Sequence, residues 1–179
     1  AAFATLSVPN RVQSVIEELI NSLPRREFDL IRNGSVLGNV LRCRDVAEVN
    51  SNESAAALAP EQVQQSLHAL AGRQVLEIEV DSAANSVYRF SRALIGLSLY
   101  QGITPSQRKR LHAVAARIWE RGGEETLETK LNCAMHYELA ELPQKGAEFH
   151  LSAGQMAGEL FENERAVSLL GRVERFLEE

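Results

Sequence analysis

Histidines, cysteines and glycine-rich turns are the features of this 179-residue chain that could carry chemistry. The four histidines stand singly, and none has the spacing of metal ligands. The segment Gly34-Ser35-Val36-Leu37-Gly38 is not followed by the Gly-Lys-Ser/Thr of a phosphate-binding loop, so it reads as a helix end. No serine lies in a nucleophile elbow. These patterns predict no catalytic residue, no metal ligand and no enzymatic activity for this chain.

Cys43 and Cys133 are the two cysteines, and they lie far apart in the sequence. We expect them to be buried, reduced thiols rather than a disulfide. No apolar run approaches the ~20 residues that a membrane span needs, and the first residues, AAFATLSVP, lack the basic start of a signal peptide. The composition therefore favours a cytoplasmic protein with no membrane segment. Because the sequence does not begin with Met, we expect a fragment of a larger protein.

The stretch from Ser86 to Glu120 contains the clearest local signals. Residues 87–90 are strand-prone, and residues 74–80 alternate apolar and acidic side chains, so the two segments predict a hairpin. Ser91 is a candidate N-cap of the next helix, and Thr104-Pro105 has the chemistry of a second helix start. The side chains expected to form a core between hairpin and helices are Tyr88, Phe90, Leu94, Leu111 and Trp119.

The preceding part of the chain predicts helices that begin near Asn10, Pro24 and Pro60. Their expected inward residues include Phe28, Leu30 and Ile31 in the second helix and Val63, Leu67 and Leu70 in the third. Arg42–Val49 reads equally well as a short helix or an irregular turn. A helix that leads into a two-stranded wing is the winged-helix arrangement. We therefore predict a mostly α protein whose winged-helix domain spans residues 9–120.

Residues 124–179 show no strand pattern and predict three helices. Their expected inward residues are Leu127, Leu131, Ala134 and Met135, then Ala147, Leu151, Gly154 and Gly158, then Ala166, Leu169, Leu170, Val173 and Leu177. Short polar turns between them favour tetratricopeptide-like antiparallel helices. The net charge is +1 for residues 1–120 and −6 for residues 121–179, so we place the domain joint at residues 121–123.

Several of these segments together resemble a known arrangement. The segments are Leu23-Pro24-Arg25-Arg26-Glu27, Tyr88-Arg89-Phe90-Ser91-Arg92-Ala93-Leu94-Ile95, Pro105-Ser106-Gln107-Arg108-Lys109-Arg110 and His136-Tyr137-Glu138-Leu139-Ala140. The pattern resembles the segment after the nucleotide-binding domain in multidomain signal-transduction ATPases, including proteins with nucleotide-cyclase modules and some transcription regulators. The resemblance implies a P-loop domain upstream of Ala1 that binds ATP or ADP, and no cofactor in this segment. It implies a regulatory arm whose partners are neighbouring domains or another protein.

Arg92 departs from that family, because many relatives have a histidine at this position, and in related switch ATPases a winged-helix histidine contacts the bound nucleoside diphosphate. An arginine could also reach a phosphate. The resemblance therefore makes Arg92 a candidate for sensing the nucleotide phosphates. The alternative is that Arg92 is a solvated residue in the first turn of a helix.

The basic triplet Arg108, Lys109 and Arg110 is the candidate partner-binding site, which could dock on an acidic surface. A DNA-binding winged-helix regulator is an alternative function. The helix before the wing offers glutamines that can read adenine, but Glu77 and Glu79 on the wing would repel a duplex, so DNA is disfavoured as a partner. A free-standing helical-repeat scaffold that binds a protein is the other alternative.

Overall fold

The computed structural model describes residues 10–51, 59–80, 86–122 and 125–177. It is mostly helical, with a small three-stranded antiparallel sheet. The chain divides into two compact units, Ala1–Ile103 and Thr104–Glu179. The predominance of helices confirms the predicted mostly α class. The five side chains predicted to form one core are divided between the two units. Tyr88 and Phe90 belong to the core of the first unit, whereas Trp119 packs with Tyr137 in the second.

The first unit is a helical layer against a short sheet. Its elements, in chain order, are α1 (Asn10–Asn21), α2 (Arg25–Gly34), β1 (Val40–Arg42), α3 (Cys43–Ser51), α4 (Pro60–Gly72), β2 (Leu76–Val80), β3 (Val87–Phe90) and α5 (Ala93–Gln101). One 3₁₀ turn, Ser35–Leu37, follows α2. The predicted helix starts near Asn10, Pro24 and Pro60 are confirmed.

The sheet contains a strand that the sequence did not predict. β1 pairs antiparallel with β3, with Val40 opposite Arg89 and Leu41 opposite Tyr88. β3 also pairs with β2 on its other side, so the order is β1-β3-β2. The predicted hairpin of β2 and β3 is present, and β1 adds a third strand to it. The three residues of β1 are too few for period-2 alternation to be recognised.

The core of the first unit lies between the sheet and the helices. As expected, Val63, Leu67 and Leu70 of α4 are fully buried, and so are Leu41 and Tyr88 of the sheet. Leu30 and Ile31 of α2 are also buried, whereas Phe28 packs at the core edge. Residues 42–49, which the sequence left between helix and turn, form the end of β1 and most of α3.

A buried polar contact joins α2 to α3. The Asn50 side-chain amide donates hydrogen bonds to the carbonyl oxygens of Leu30 and Val46, at 3.1 and 2.9 Å. Its own carbonyl oxygen accepts a hydrogen bond of 3.0 Å from the Asn33 amide. Both side chains are buried, so the two amides lose their hydrogen bonds to water on folding. The bonds within the protein replace them.

The second unit consists of α6 (Pro105–Arg121), α7 (Leu127–Leu139), α8 (Pro143–Glu159) and α9 (Asn163–Leu177). Each helix packs on the next along the chain. The predicted N-cap position of Thr104, with Pro105 in the first turn, is confirmed for α6. The domain limits predicted from charge, 9–120 and 124–179, group α6 with the preceding elements, whereas in the structure α6 packs along α7.

The connections from α7 to α8 and from α8 to α9 have the same geometry. In the first, the backbone N–H of Leu142 donates to the Tyr137 carbonyl, and Glu141 has φ +57°. In the second, the N–H of Glu162 donates to the Ala157 carbonyl, and Phe161 has φ +61°. Both are helix ends in which one residue takes a left-handed conformation and the chain reverses. Such short connections make neighbouring helices antiparallel.

The inward faces of α7 and α8 differ from the predicted ones. Met135 and Leu151, expected inside, are 38% and 42% exposed. The residues buried in these two helices are Cys133, Ala134, His136 and Tyr137, then Gly146, His150, Ala153, Gly154 and Ala157. The predicted inward residues Ala134 and Gly154 are buried, whereas Gly158 is exposed. Closely approaching helices place small residues between them, so the large side chains of Met135 and Leu151 lie partly exposed. The expected inward positions Ala166 and Leu169 of α9 are confirmed.

Candidate functional site

A groove of about 1130 Å³ runs along β2 in the first unit. Its lining includes Val15, Ile16 and Leu19 of α1 and Leu76, Glu77 and Ile78 of β2. Side chains from the end of α4 and the start of α5 complete its lining. α1 reaches this position because Ile16 and Ile20 are buried in the core, which turns Val15 outward at 60% exposure.

Arg92 lies at the rim of this groove, immediately before α5. It is the N-cap residue, with an extended backbone (φ −142°, ψ 130°), and its side chain is exposed. Within the described part of the chain its guanidinium makes no hydrogen bond and no ion pair. A cation in this position is open to an anionic ligand. Contact of Arg92 with a nucleotide phosphate stays a prediction.

Ser91 does not cap α5 as the sequence suggested. Its hydroxyl donates a hydrogen bond of 2.6 Å to the carbonyl oxygen of Gln74, at the turn between α4 and β2. The backbone N–H of Ser91 donates to the Val75 carbonyl, which continues the pairing of the hairpin beyond β3. These bonds hold the start of α5, and with it Arg92, beside the first residue of β2.

His68 and Tyr88 form a polar contact beside the groove. The Tyr88 hydroxyl oxygen lies 2.7 Å from Nδ1 of His68, and the two rings meet edge to face. Tyr88 is fully buried, so its hydroxyl must find a partner within the protein. His68 supplies that partner and lines the groove with its ring.

The basic triplet is divided among three environments on α6. Successive helix residues point about 100° apart, so Arg108, Lys109 and Arg110 do not share one face. Arg108 is half-buried, whereas Arg110 is exposed and donates a hydrogen bond of 3.3 Å to the Ser106 hydroxyl. Lys109 pairs with Glu141 at 2.5 Å, which ties α6 to the turn after α7. Partner binding by the triplet stays a prediction, with Arg110 the most accessible member.

His112 and His136 meet between α6 and α7. Their Nδ1 atoms are 2.9 Å apart, and the side chains are only 3% and 2% exposed. Burial lowers the pKa of His112 to about 4, with a further contribution from the charge of Arg108. Burial, followed by the charge of His112, lowers the pKa of His136 to about 3. Both rings are therefore neutral near pH 7, and one Nδ1 donates its hydrogen to the other.

A second polar contact crosses α7, α8 and α9. Nε2 of the buried His150 lies 2.8 Å from Oε1 of Glu138. The other oxygen of Glu138 lies 3.7 Å from a guanidinium nitrogen of Arg172. The single carboxylate of Glu138, on α7, thus contacts both α8, through His150, and α9, through Arg172.

From the sequence, the four histidines stand singly and without the spacing of metal ligands. The structure buries His112, His136 and His150, and pairs the first two. A signal for this was present, because Cys133, His136, Tyr137 and Ala140 fall at i, i+3, i+4 and i+7 and are all buried. Both cysteines are free and buried, as predicted, and burial raises the pKa of the Cys133 thiol to about 11.

The chain matches no protein-family model, no curated protein and no solved structure. Across residues 10–51, 59–80, 86–122 and 125–177, no group of three His, Cys, Asp or Glu side chains could hold a metal ion. Of the helices described, none is both long and apolar enough to cross a membrane.

Proposed function

We propose that this chain is a non-catalytic regulatory and interaction arm of a multidomain, nucleotide-dependent signalling ATPase. In this proposal the first unit is a winged helix that senses the nucleotide state of an attached P-loop domain. The helices that follow are tetratricopeptide-like and relay this state to an output domain or a protein partner. Any ATP or ADP is bound by the attached domain.

The observation that carries the proposal is the topology of the first unit. Helices α1 and α2 lead into β1, then α3 and α4 precede the hairpin, and β3 lies between β1 and β2. A helix–strand–helix–helix–hairpin order with this strand arrangement is what a winged helix requires. The exposed Arg92 follows the hairpin directly and is open to an anion.

The second unit supports the tetratricopeptide-like part of the proposal. Alternate helices α7 and α9 begin at Leu127 and Asn163, a spacing close to the ~34-residue period of such repeats. Each helix packs chiefly on its sequence neighbour. This local packing is typical of repeat arrays.

We do not propose DNA binding, because the basic residues of the surface that would meet DNA, Arg73 and Arg89, are each paired with a carboxylate. The exposed residues of α4 include Glu61, Gln62 and Gln65, and the hairpin exposes Glu77 and Glu79. Carboxylates at these positions would repel phosphates rather than release counterions.

The first test is sequencing of the intact native polypeptide by mass spectrometry. The proposal expects a P-loop ATPase domain in the same polypeptide. That domain would then be expressed separately, and its binding to the present chain measured by calorimetry with ADP or with ATP. A native polypeptide without a P-loop domain would contradict the proposal and leave a free-standing scaffold as the alternative.

Arg92 is tested in the same calorimetric assay. Because a hydrogen-bonded contact to a charged group contributes about 1.5–3 kcal/mol, we expect Arg92→Ala to weaken docking in one nucleotide state by about tenfold or more. Arg26→Ala removes another exposed arginine of the first unit and is the matched control. Equal effects of the two substitutions, or equal effects in ADP and ATP, would rule out nucleotide sensing by Arg92.

The basic triplet is tested best through Arg110. Reversal of Lys109 would also break its ion pair with Glu141, so a loss of docking could come from altered packing. Arg110→Glu reverses an exposed charge and leaves the Lys109–Glu141 ion pair in place. We expect Arg110→Glu to weaken docking while the urea midpoint stays within experimental error, because exposed charges contribute little to stability. Unchanged docking would remove this surface from the proposal.

A further inference from the structure

β2 is an edge strand whose free side is open. The order β1-β3-β2 places β2 at one edge of the sheet. Its residues from Glu77 to Val80 are all exposed, and in the described part of the chain no strand lies beside it. An open edge presents unpaired backbone groups that can bind an additional strand. A bulge between Ile78 and Val80 interrupts the register of β2 with β3. We therefore expect an added strand to pair regularly with only the first residues of β2.

The two faces of this edge have different chemistry. Glu77 lies opposite Arg89 in the register, and Glu79 forms an ion pair with Arg89, so both carboxylates lie on the Arg89 face. Glu77 makes no hydrogen bond or ion pair with any described residue. Ile78 lies opposite the buried Tyr88, which places it on the other face, where it lines the groove and is 43% exposed.

The groove continues this apolar face away from the sheet. Val15 of α1, 60% exposed, lines the same groove as Ile78. A strand added to β2 would therefore direct every second side chain into the groove between α1 and the sheet. The alternate side chains would lie beside Glu77 and Glu79.

We propose that β2 binds an extended segment of a protein partner in which aliphatic and basic residues alternate. The backbone of the segment pairs with the edge of β2, its aliphatic side chains enter the groove over Ile78 and Val15, and its basic side chains lie opposite the two carboxylates. Opposite charges across neighbouring strands are stabilising, and like charges are destabilising. A second copy of this chain fits poorly, because antiparallel pairing of two β2 strands about Ile78 brings Glu77 beside Glu79. This inference does not depend on the proposed ATPase partner.

The test is a titration of the ¹⁵N-labelled full chain with synthetic peptides, followed by NMR. The acetylated, amidated hexapeptide KVKVKV is the probe. The peptide KKKVVV has the same composition and charge without alternation, and EVEVEV has the alternation with the opposite charge. We expect saturable shifts of the amide signals of Leu76 to Glu79 and of Val15 with KVKVKV, and affinities about tenfold lower for both controls.

Two substitutions locate the site. Glu77→Lys should weaken binding of KVKVKV by about tenfold and improve binding of EVEVEV, because it reverses the charge that faces the segment. Glu61→Lys makes the same charge change at an exposed position on α4 and should leave both affinities unchanged. Circular dichroism of each variant verifies that it is folded. Four results would overturn the proposal. Two concern the peptides: no saturable binding of KVKVKV at millimolar concentration, or equal binding of KVKVKV and KKKVVV. The other two concern the location of the site: shifts outside β2 and the groove, or equal effects of the two substitutions.

Discussion

His112 and His136 share one hydrogen bond between Nδ1 atoms 2.9 Å apart in the buried contact of α6 with α7. Such a bond needs one ring to donate and the other to accept, so it exists only while at least one Nδ1 carries no hydrogen. A proton on both rings would place two donors and two charges in contact away from water. The histidine pair therefore makes the second unit sensitive to acid.

The second unit should lose stability as the pH falls below ~6.5, the ordinary pKa of histidine. Both folded-state pKa values, about 4 and about 3, lie below that value. The unfolded chain therefore takes up protons first, and each histidine can cost up to about 1.4 kcal/mol per pH unit until the folded chain is also protonated. Above ~pH 7 the pair contributes no pH dependence. Urea unfolding followed by the fluorescence of Trp119, the single tryptophan, measures this.

The control for the histidine pair is the double variant His112→Asn and His136→Asn. Asparagine can hydrogen-bond at the position of Nδ1 but does not titrate. The stability difference between about pH 7 and pH 5 should be much smaller in the variant than in the wild type. The same difference in both proteins would show that other groups cause the acid sensitivity.

Gly154 and Gly158 of α8 should respond oppositely to alanine. A Cβ at Gly154 would lie 2.9 Å from Leu170 Cδ2, so Leu170 must move, and we expect Gly154→Ala to lower the free energy of unfolding by about 1 kcal/mol. A Cβ at Gly158 would meet no atom within 4 Å, and Gly158→Ala should raise it by about 0.5–1 kcal/mol through helix propensity. Urea denaturation of the two variants checks the signs. Stabilisation by both substitutions would mean that Leu170 adapts freely.

Phe161 should be replaceable by glycine with a gain in stability. It has φ +61° at the turn between α8 and α9, and its side chain is 87% exposed. The left-handed conformation costs a residue with a Cβ about 1 kcal/mol, which glycine avoids. We expect Phe161→Gly to raise the free energy of unfolding by about that amount and Phe161→Ala to leave it nearly unchanged. An equal loss in both variants would indicate that the Phe161 ring contributes to packing.

Asn50 should be intolerant of an apolar replacement. Its amide donates to the Leu30 and Val46 carbonyls and accepts from Asn33, all within the buried contact of α2 with α3. Asn50→Leu leaves the Asn33 amide without this partner, and we expect a loss of about 2–3 kcal/mol in the free energy of unfolding. The exposed Asn39→Leu is the comparison and should lose less than about 0.5 kcal/mol. Thermal and urea unfolding by circular dichroism would measure both losses, and similar values would show that the network is dispensable.

Local chemistry was sufficient to predict most of the elements from the sequence. Thr104-Pro105 predicts the start of α6, and the strand-prone residues 87–90 predict β3, because each signal acts within a few residues of backbone. The buried positions of α4 followed from helical periodicity for the same reason. Arg92 became a candidate only through the family resemblance, and the structure places it, exposed, at the N-cap of α5.

The tertiary structure alone decided what depends on distant residues. β1 exists because its three residues pair with β3, more than forty positions later in the chain. The inward faces of α7 and α8 were decided by how closely neighbouring helices approach, so alanine, glycine and histidine are buried while Met135 and Leu151 remain partly exposed. The histidine pair and the groove beside β2 arise in the same way. Periodicity specifies which residues of one helix or strand share a face, but the surface that covers this face comes from another part of the chain.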